Sequence, residues 1–306
     1  MSQASLAILL KLGSVVLFVV MAALIKATAT DVPAGEAVFF RSFFALWVIV
    51  AWLLWRRELR TGLKTQDPLG HLWRGLIGVT AMGLAFTGLG LLPLPEVTAI
   101  GFAAPLLTVI FGAIFLGEVV RRFRLSAVAL GLLGVLVILW PRLTFDDLGT
   151  GAAMGVGVVL LSSVFRALAQ IQIRRLAKVE ETSAIVFYFS LTATVFSLAT
   201  VPFGWVMPEP GQAAMLIIAG LIGGVAQILL TSAYRFGEAG LLAPFDYASI
   251  LFATAIGYVV FGDVPTGWML VGTLIVIAAG CLIIWRERQL GLERGRARKA
   301  GLTPQG

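Results

Sequence analysis

Charged residues are scarce in this chain, and so are the two side chains that most often bind transition metals. Asp, Glu, Lys and Arg make up 13% of its 306 residues, against about 25% in a soluble domain. The single cysteine, Cys281, excludes an internal disulfide and a cysteine-based metal cluster, and the single histidine, His71, excludes a histidine-rich metal site. Hydrophobic residues make up 59% of the chain, and the mean hydropathy is +0.98. No soluble core could hide this much apolar surface, so the chain is predicted to be an integral membrane protein.

The apolar residues fall into ten runs, numbered here span 1 to span 10. A helix needs about 20 mostly apolar residues to cross a bilayer. The runs cover roughly 6–26, 37–55, 72–91, 96–116, 125–141, 151–171, 184–204, 212–233, 240–260 and 266–285. Their connections are short, which leaves no room for a soluble domain. Only the basic tail from Arg286 is predicted to lie outside the membrane, as a disordered segment.

Basic residues are confined to alternate connections between these spans. One set of connections, together with both termini, holds 19 Lys and Arg residues, whereas the other set holds only Arg142. Lys26, Arg41 and Arg166 lie within spans or at their ends. Cytoplasmic loops are the ones enriched in Lys and Arg, so both termini are predicted to be cytoplasmic. The net charge of +7 therefore reflects orientation and predicts no nucleic-acid partner.

One short turn occurs twice in the chain. Leu-Gly-Glu at 116–118 and Phe-Gly-Asp at 261–263 each separate two apolar runs, and their acids are 145 residues apart, at positions 118 and 263. The first turn runs into three arginines and the second into none, so the two copies are predicted to face opposite sides of the membrane. Two five-span units related by inversion require this arrangement. We predict an all-α integral membrane protein of ten transmembrane helices, with a first repeat over 1–145, an inverted second repeat over 146–286 and a basic cytoplasmic tail over 287–306.

The N-terminal run has a second interpretation. Lys11, the apolar run after it and the small residues of 27–29 resemble a cleavable signal peptide. However, the run is long, Lys26 directly precedes the would-be cleavage site, and cleavage would leave nine spans and a broken repeat. The ten-span interpretation is therefore preferred.

Single residues at span ends and in mid-span form a further pattern. The first half has Lys26, Pro33, Arg41, Pro105, the Leu-Gly-Glu turn, Gly131 and Gly134, and the second half has the Phe-Gly-Asp turn and Gly280. This pattern resembles the drug/metabolite transporter superfamily, and within it the EamA-type exporters of ten spans. The second half departs from the pattern, with Ile250 where Pro105 would repeat, Asp263 in place of a Glu, and no Arg where Arg41 would repeat.

The resemblance covers almost the whole chain and implies a carrier of the bacterial inner membrane. The chain is similar to aromatic amino acid exporters, which implies export of amino acids or related metabolites, with alternating access between two packings of the repeats. A multidrug or other metabolite exporter of the same superfamily is the alternative. The implied partners are a small-molecule substrate and the lipid bilayer. No cofactor is expected, and nothing in the sequence requires a second subunit.

Polar side chains inside apolar spans are costly and tend to face a cavity. In span 8, a stripe at spacings of three or four comprises Gly220, Gly223, Gln227, Thr231 and Tyr234. We expect its polar members to contact the substrate, and the alternative is packing of small residues between helices. The resemblance places the spans of four aromatic residues around the central cavity, where they would suit an aromatic or apolar substrate: Phe86, Phe102, Tyr234 and Tyr247.

Asp246 is the deepest acid that the sequence places inside a span, and it is expected to hold a proton or a substrate ammonium. The alternative is a carboxylate near the interface that pairs with Arg235 or another loop base. Arg41, about one turn inside span 2, could bind a carboxylate. The alternative is a structural contact, either an ion pair with an acid such as Glu36 or Asp31 or a hydrogen bond to a turn carbonyl.

Two further charges are candidates for the transport path. Lys26 lies near Arg41 in depth and has the same two interpretations. Arg166 is predicted about one turn before the cytoplasmic end of span 6, where extension of the side chain to the headgroups is the alternative role.

Three residues are candidate hinges: Pro105, Gly223 and Pro244. Proline removes a backbone donor and weakens the helix around it, as a bending point requires. The chain has no Gly-rich phosphate loop, no HExxH motif, no paired aspartates and no Cys/His pair. An ATP-driven pump and a membrane-embedded enzyme are therefore not expected. A passive channel is a further alternative, which would lack the stimulation by substrate on the far side that a carrier can show.

Overall fold

The structure is a computed structural model that describes residues 3–116, 122–142, 151–176, 179–236 and 242–300. These residues form helices and no strand. Six of the helices are long and apolar enough to cross a membrane, and four shorter apolar helices account for the remaining predicted spans. The predicted all-α membrane protein is confirmed.

The helices begin and end close to the predicted spans. Spans 1 to 3 are Gln3–Thr28, Ala34–Trp55 and Pro68–Leu91, and spans 5 to 8 are Arg122–Leu139, Gly151–Leu176, Thr182–Leu198 and Pro210–Phe236. Short helical turns lie at Leu59–Gly62, Trp140–Arg142 and Val201–Phe203. Span 10 is Gly267–Ala300, so the predicted disorder is wrong for 286–300, and 301–306 lie outside the described residues. The helix continues because Arg, Glu, Gln and Leu all favour it and the next proline is Pro304.

Local sequence explains several of the helix ends. Asp67 precedes span 3, and its Oδ1 accepts the N–H of Gly70 at 2.8 Å, as an N-cap does. Pro68 follows at the first helical position, where a missing N–H costs nothing. Gly262 ends span 9 with φ of 69°, a left-handed conformation that favours glycine. Gly117 and Glu118 of the equivalent turn lie outside the described residues.

Spans 4 and 9 are broken. Span 4 consists of Leu94–Gly101 and Ala103–Leu116, which meet at Phe102. Pro105 has no N–H to donate to the carbonyl of Gly101, so a regular helix loses a hydrogen bond at this point. Span 9 consists of three pieces of different helical type, namely Ala243–Tyr247 (3-10), Ala248–Ile256 (α) and Gly257–Phe261 (π).

The two halves of the chain pack in the same way. Span 1 lies along span 8, as span 6 lies along span 3, and span 8 contacts span 2, as span 3 contacts span 7. Span 4 contacts span 6, as span 9 contacts span 1. In three further cases a span contacts its own equivalent in the other half: span 5 contacts span 10, span 2 contacts span 7, and span 4 contacts span 9. Exchange of the halves maps this set of contacts onto itself, as a pseudo-twofold axis between two repeats requires.

Spans 5 and 10 touch backbone to backbone. A Cβ built on Gly134 would lie 2.8 Å from the carbonyl oxygen of Gly272, and one built on Gly272 would lie 2.5 Å from the carbonyl oxygen of Gly134. Real Cβ atoms do not approach a carbonyl oxygen this closely, so glycine is required at both positions.

Gly272→Ala is expected to lower the thermal unfolding temperature of the purified protein, because the added methyl group forces spans 5 and 10 apart. Overpacking of a tight contact costs about 1–3 kcal/mol. Gly157→Ala in span 6 is the control, since nothing lies within 4 Å of its built Cβ. Scanning fluorimetry that gives both variants the same unfolding temperature would contradict the close contact.

Candidate functional site

An ion pair between a buried lysine and a half-exposed aspartate joins span 1 to span 9. Lys11 Nζ lies 2.6 Å from Asp246 Oδ1, and the lysine side chain is 2% exposed whereas the aspartate side chain is 47% exposed. Lys11 belongs to the third turn of span 1, and Asp246 belongs to the 3-10 turn that opens span 9. Asp246 is therefore compensated by a buried cation and still presents part of its carboxylate to water.

This pair changes the count of loop charges. The sequence count assigns Lys11 and Arg74 to the cytoplasmic connections, but Lys11 is buried, and so are the Nε and Nη1 atoms of Arg74. Seventeen basic residues then stand against one. The orientation with both termini in the cytoplasm stays a prediction that the remaining charges still favour.

Arg166 extends from span 6 toward the same region. Span 6 continues for ten residues beyond it, to Leu176, about 15 Å at the rise of an α-helix. The predicted position one turn from the helix end is therefore wrong. A Cβ built on Gly101 would lie 3.0 Å from Arg166 Nη1, and Asp246 attracts the guanidinium charge. Arg166 is exposed whereas Gly101 beside its guanidinium is buried, so the guanidinium is accessible next to the break in span 4.

Two aromatic rings meet where the broken spans cross. The ring centroids of Phe102 and Tyr247 are 4.9 Å apart, and the two residues occupy equivalent positions of the repeats, with the same offset as Glu118 and Asp263. Tyr247 adjoins Asp246 in the chain. The Tyr247 hydroxyl fills the space where Gly280 of span 10 has no side chain. Gly280, which the sequence marks only as part of the motif pattern of the second half, therefore positions this ring.

The structure brings together a set of residues that we call the central site: Lys11, Phe102, Arg166, Asp246 and Tyr247. A carboxylate that remains partly exposed can accept an ammonium group, and a guanidinium can bind a carboxylate through two hydrogen bonds. The aromatic pair offers an apolar wall beside both charges. The arrangement can therefore bind a zwitterion with an aromatic or apolar side chain. The sequence gives no sign of Lys11, because a lysine near the N-terminus is counted with the loops.

Other predicted site residues lie elsewhere. Gln227 lines a crevice of about 10 Å³ with Ile49, Trp52 and Val186. Phe86 lines a separate cavity of about 190 Å³ at the ends of spans 1, 2 and 3. The structure does not describe the side chains of Thr231, Tyr234 and Pro244.

The glycines of span 8 face neighbouring helices. A Cβ built on Gly220 would lie 2.6 Å from Phe44 Cβ, and one built on Gly223 would lie 2.8 Å from Met21 Sδ. Span 8 is continuous through Gly223. These glycines therefore serve helix packing, which is the alternative interpretation of the stripe. Hinge motion at Gly223, Pro105 or Pro244 stays a prediction.

Lys26 and Asp263 fasten the end of the bundle far from Lys11. Lys26 Nζ donates to the carbonyl oxygen of Leu92 at 2.8 Å, just after the last turn of span 3. Asp263 Oδ2 accepts the N–H of Leu94 at 3.1 Å, at the start of span 4. A cation at a helix C-terminus and an anion at an N-terminus both interact favourably with the helix dipole. These contacts tie spans 1, 3, 4 and 9 together and give Lys26 a structural role.

A second polar cluster connects the loop after span 2 with the loop after span 6. Glu180 Oε1 accepts the N–H groups of Gln66 at 2.6 Å and Asp67 at 2.8 Å and the Thr65 hydroxyl at 2.9 Å. Glu180 Oε2 lies 3.6 Å from His71 Nε2, too long for a hydrogen bond. Burial raises the pKa of Glu180, but the hydrogen bonds outweigh it and hold the pKa below its ordinary value.

Glu180→Gln is expected to lower the unfolding temperature at neutral pH, because hydrogen bonds to a charged group contribute about 1.5–3 kcal/mol each. The lowered pKa means that the carboxylate stabilises the fold above the pKa of the unfolded chain and loses this effect as pH falls through the folded pKa. The difference between wild type and variant should therefore stay constant from about pH 8 to 5 and shrink only below about pH 4. A difference that grows on acidification would contradict this assignment.

Comparison with known proteins places these features in a family. The sequence profile of the EamA-like transporter family matches residues 5–140 and, a second time, residues 153–285. The chain is 29% identical to the pseudopaline exporter CntI of Pseudomonas aeruginosa over 89% of this chain and 93% of that protein. It is 27% identical to an S-adenosylmethionine uptake transporter of Rickettsia bellii, over 86% and 88% of the two chains. It is 26% identical to a riboflavin transporter of Rhizobium johnstonii, over 83% and 82%.

One solved crystal structure has the same fold. It superposes on 94% of this chain and 99% of its own with a TM-score of 0.67 and 22% identity. The three named relatives carry different small molecules, and one is an exporter whereas another is an uptake system. Transport of a small metabolite is common to them, whereas the resemblance to aromatic amino acid exporters does not reappear among them.

Proposed function

This chain belongs to the EamA-like transporter family and transports small metabolites across a membrane, and we propose that it exports zwitterionic, amino-acid-like metabolites with an aromatic or apolar side chain. The observation that carries the proposal is the central site. It combines a partly exposed carboxylate, an accessible arginine and two aromatic rings in contact, inclined at 39° to each other. Each of these groups matches one part of such a substrate.

Asp246 is the proposed partner of the substrate ammonium. Lys11 Nζ lies 2.6 Å from one carboxylate oxygen, and the 47% exposed side chain leaves room for a second cation. Arg166 is the proposed partner of the substrate carboxylate, because its guanidinium is accessible and attracted toward Asp246. Phe102 and Tyr247 would then contact the side chain. A carrier must release what it binds, and a carboxylate shared with Lys11 binds an ammonium less tightly than a bare one would.

Alternating access is the proposed mechanism, and the repeat supports it. Two inverted halves can exchange two equivalent packings around one site between them. The breaks in spans 4 and 9 lie beside Phe102 and Tyr247, so bending there would act directly on the bound molecule. The excess of basic residues in one set of loops supports cytoplasmic termini, and the bacterial relatives support the inner membrane. Export is proposed from the EamA-type motifs and from the exporter among the relatives.

The proposal is tested by counterflow in proteoliposomes. Vesicles loaded with unlabelled phenylalanine should accumulate labelled phenylalanine transiently, which a passive channel cannot produce. Unlabelled tyrosine, tryptophan and leucine should compete, and glycine should compete weakly because it offers nothing to the aromatic wall. If no amino acid competes, the alternative of a multidrug or other metabolite exporter replaces the proposal. Accumulation of labelled phenylalanine in intact cells should fall when the protein is produced, whereas a rise would contradict export.

A further inference from the structure

Two arginines from spans 2 and 3 converge on one aromatic ring of span 7. Arg74 Cζ lies 3.9 Å from the ring centroid of Phe189, and Arg41 Cζ lies 5.9 Å from the same centroid. The distance between the two Cζ atoms is therefore no greater than the sum of these two distances. Arg41 is 6% exposed. Within the described part of the chain, Arg41 Nε and the Nε and Nη1 atoms of Arg74 are buried without a hydrogen-bond partner.

Both side chains lie toward the middle of the bundle. Arg74 is the seventh residue of span 3, and an arginine this near a helix end normally extends outward to the headgroups. Its Nη1 instead lies over Gly78, one turn deeper in the same helix. Arg41 Nε would lie 3.4 Å from a Cβ built on Gly223, which is at the middle of span 8. The missing side chains of these two glycines make room for the guanidinium groups.

The acids that could neutralise Arg41 are occupied elsewhere. Glu36 accepts the N–H of Val206 at 3.1 Å, and Asp31 accepts the side-chain amide of Gln212 at 2.8 Å. The structural ion pair considered as an alternative for Arg41 is thus absent from the described residues. The two guanidinium charges repel each other, and one phenylalanine ring compensates only part of the cost of burying them. Buried charges normally have a partner of opposite sign, and the described residues supply none within salt-bridge distance of Arg41 or Arg74.

We propose that Arg41 and Arg74 form a binding site for an oxyanion, separate from the central site. Planar guanidinium groups bind carboxylate and phosphate through pairs of hydrogen bonds. Two such groups at one aromatic ring favour an anion with two negative charges, a dicarboxylate or a phosphate. The oxyanion is either a group of the transported molecule or a separate anion that stays with the protein. The inference holds whatever molecule the central site carries, because it rests on different residues.

Thermal unfolding of the purified full-length protein with added anions tests the site. Succinate, inorganic phosphate and uncharged succinamide are titrated at constant ionic strength. Succinate or phosphate should raise the unfolding temperature of the wild type saturably, and succinamide should leave it unchanged. The absence of a saturable effect of either anion on the wild type would overturn the proposal, and this arm needs no variant to fold.

Substitutions then assign the effect to the two arginines. Arg41→Gln and Arg74→Gln should each weaken the apparent affinity for the anion about tenfold or more, as the loss of one charge-assisted pair predicts. Arg60→Gln, in an exposed helical turn outside the spans, is the matched control and should bind like the wild type. Arg41→Lys and Arg74→Lys keep the charge without the planar fork, and they should also bind more weakly than the wild type.

The unfolding temperature without anion separates binding from a structural role. Each Gln variant removes one of two uncompensated charges, so its unfolding temperature should equal or exceed that of the wild type. A lower temperature with unchanged anion affinity would make the arginines structural and overturn the site. Counterflow of labelled succinate in proteoliposomes then identifies the source of the oxyanion. If succinate is transported, the oxyanion is a group of the transported molecule. If succinate binds but is not transported, the oxyanion is a separate anion that stays with the protein. Both results support the site.

Discussion

Asp246→Asn is expected to slow transport about tenfold or more and to lower the unfolding temperature of the protein. The substitution removes the carboxylate charge 2.6 Å from Lys11, a residue that is 2% exposed. Removal of one partner of a fully buried ion pair costs about 3–5 kcal/mol. The cost here is smaller because the Asp246 side chain is 47% exposed, but it is still a considerable part of the stability of most folded proteins. It also removes the group that we propose to bind the substrate ammonium.

The double variant Lys11→Gln/Asp246→Asn separates these two effects. Two neutral side chains can hydrogen-bond to each other, so stability should recover toward that of the wild type, whereas transport should not. Counterflow of labelled phenylalanine and the unfolding temperature are measured on the same preparations. If the double variant transports at the wild-type rate, Asp246 does not bind the substrate.

A comparison of the wild type with the double variant Lys11→Gln/Asp246→Asn also tests energy coupling. If Asp246 carries a proton during the cycle, the flux through the wild type changes with pH and the remaining flux through the double variant does not. If transport is facilitated diffusion, the two proteins show the same dependence on pH.

Gly280→Ala is expected to slow transport about tenfold or more while the protein stays folded. The new methyl group would occupy the position of the Tyr247 hydroxyl, so the ring must leave its contact with Phe102. A contact between two aromatic rings stabilises the fold by about 0.5–1.5 kcal/mol in addition to the effect of burying their apolar surface. A displaced ring also removes the apolar wall from the site, and both losses act on the bound substrate.

A second substitution should relieve this overlap. Tyr247→Phe removes the oxygen that lies closest to the added methyl group, so Gly280→Ala/Tyr247→Phe should transport faster than Gly280→Ala alone. Tyr247→Phe by itself should have a small effect, because the ring and its contact with Phe102 remain. Gly157→Ala, with open space around its built Cβ, is again the matched control. Equal rates for Gly280→Ala and Gly157→Ala would contradict the role of Gly280.

The spans and the repeat follow from the sequence because they depend on local composition. Apolar runs of membrane length and the alternation of basic loops are visible without any tertiary contact. The break at Phe102 is less visible. Pro105 predicts a weak point in span 4, but the position of the break depends on the packing of span 4 against span 9.

The sequence predicts poorly how far a charged residue lies from the end of its helix. The apolar run of span 6 ends near 171, which places Arg166 close to the surface, but the helix continues through polar residues to Leu176. Lys11 and Arg74 are counted with the loops because each stands near one end of its apolar run. Lys11 meets Asp246, and Arg74 meets Arg41 at the ring of Phe189. In both cases the second residue lies on another helix that the sequence does not place beside the first. The pairs therefore become visible only when the helices are packed.

The central proposal is that one site binds both charges of an amino-acid-like substrate. It is tested most directly by competition against counterflow of labelled phenylalanine in proteoliposomes. The competitors are unlabelled phenylalanine, 2-phenylethylamine, which lacks the carboxylate, and 3-phenylpropionate, which lacks the amine. Phenylalanine should compete at least about tenfold better than either analogue, because each analogue leaves Arg166 or Asp246 without its charged partner. Equal competition by either analogue, or no exchange of labelled phenylalanine, would contradict the proposal.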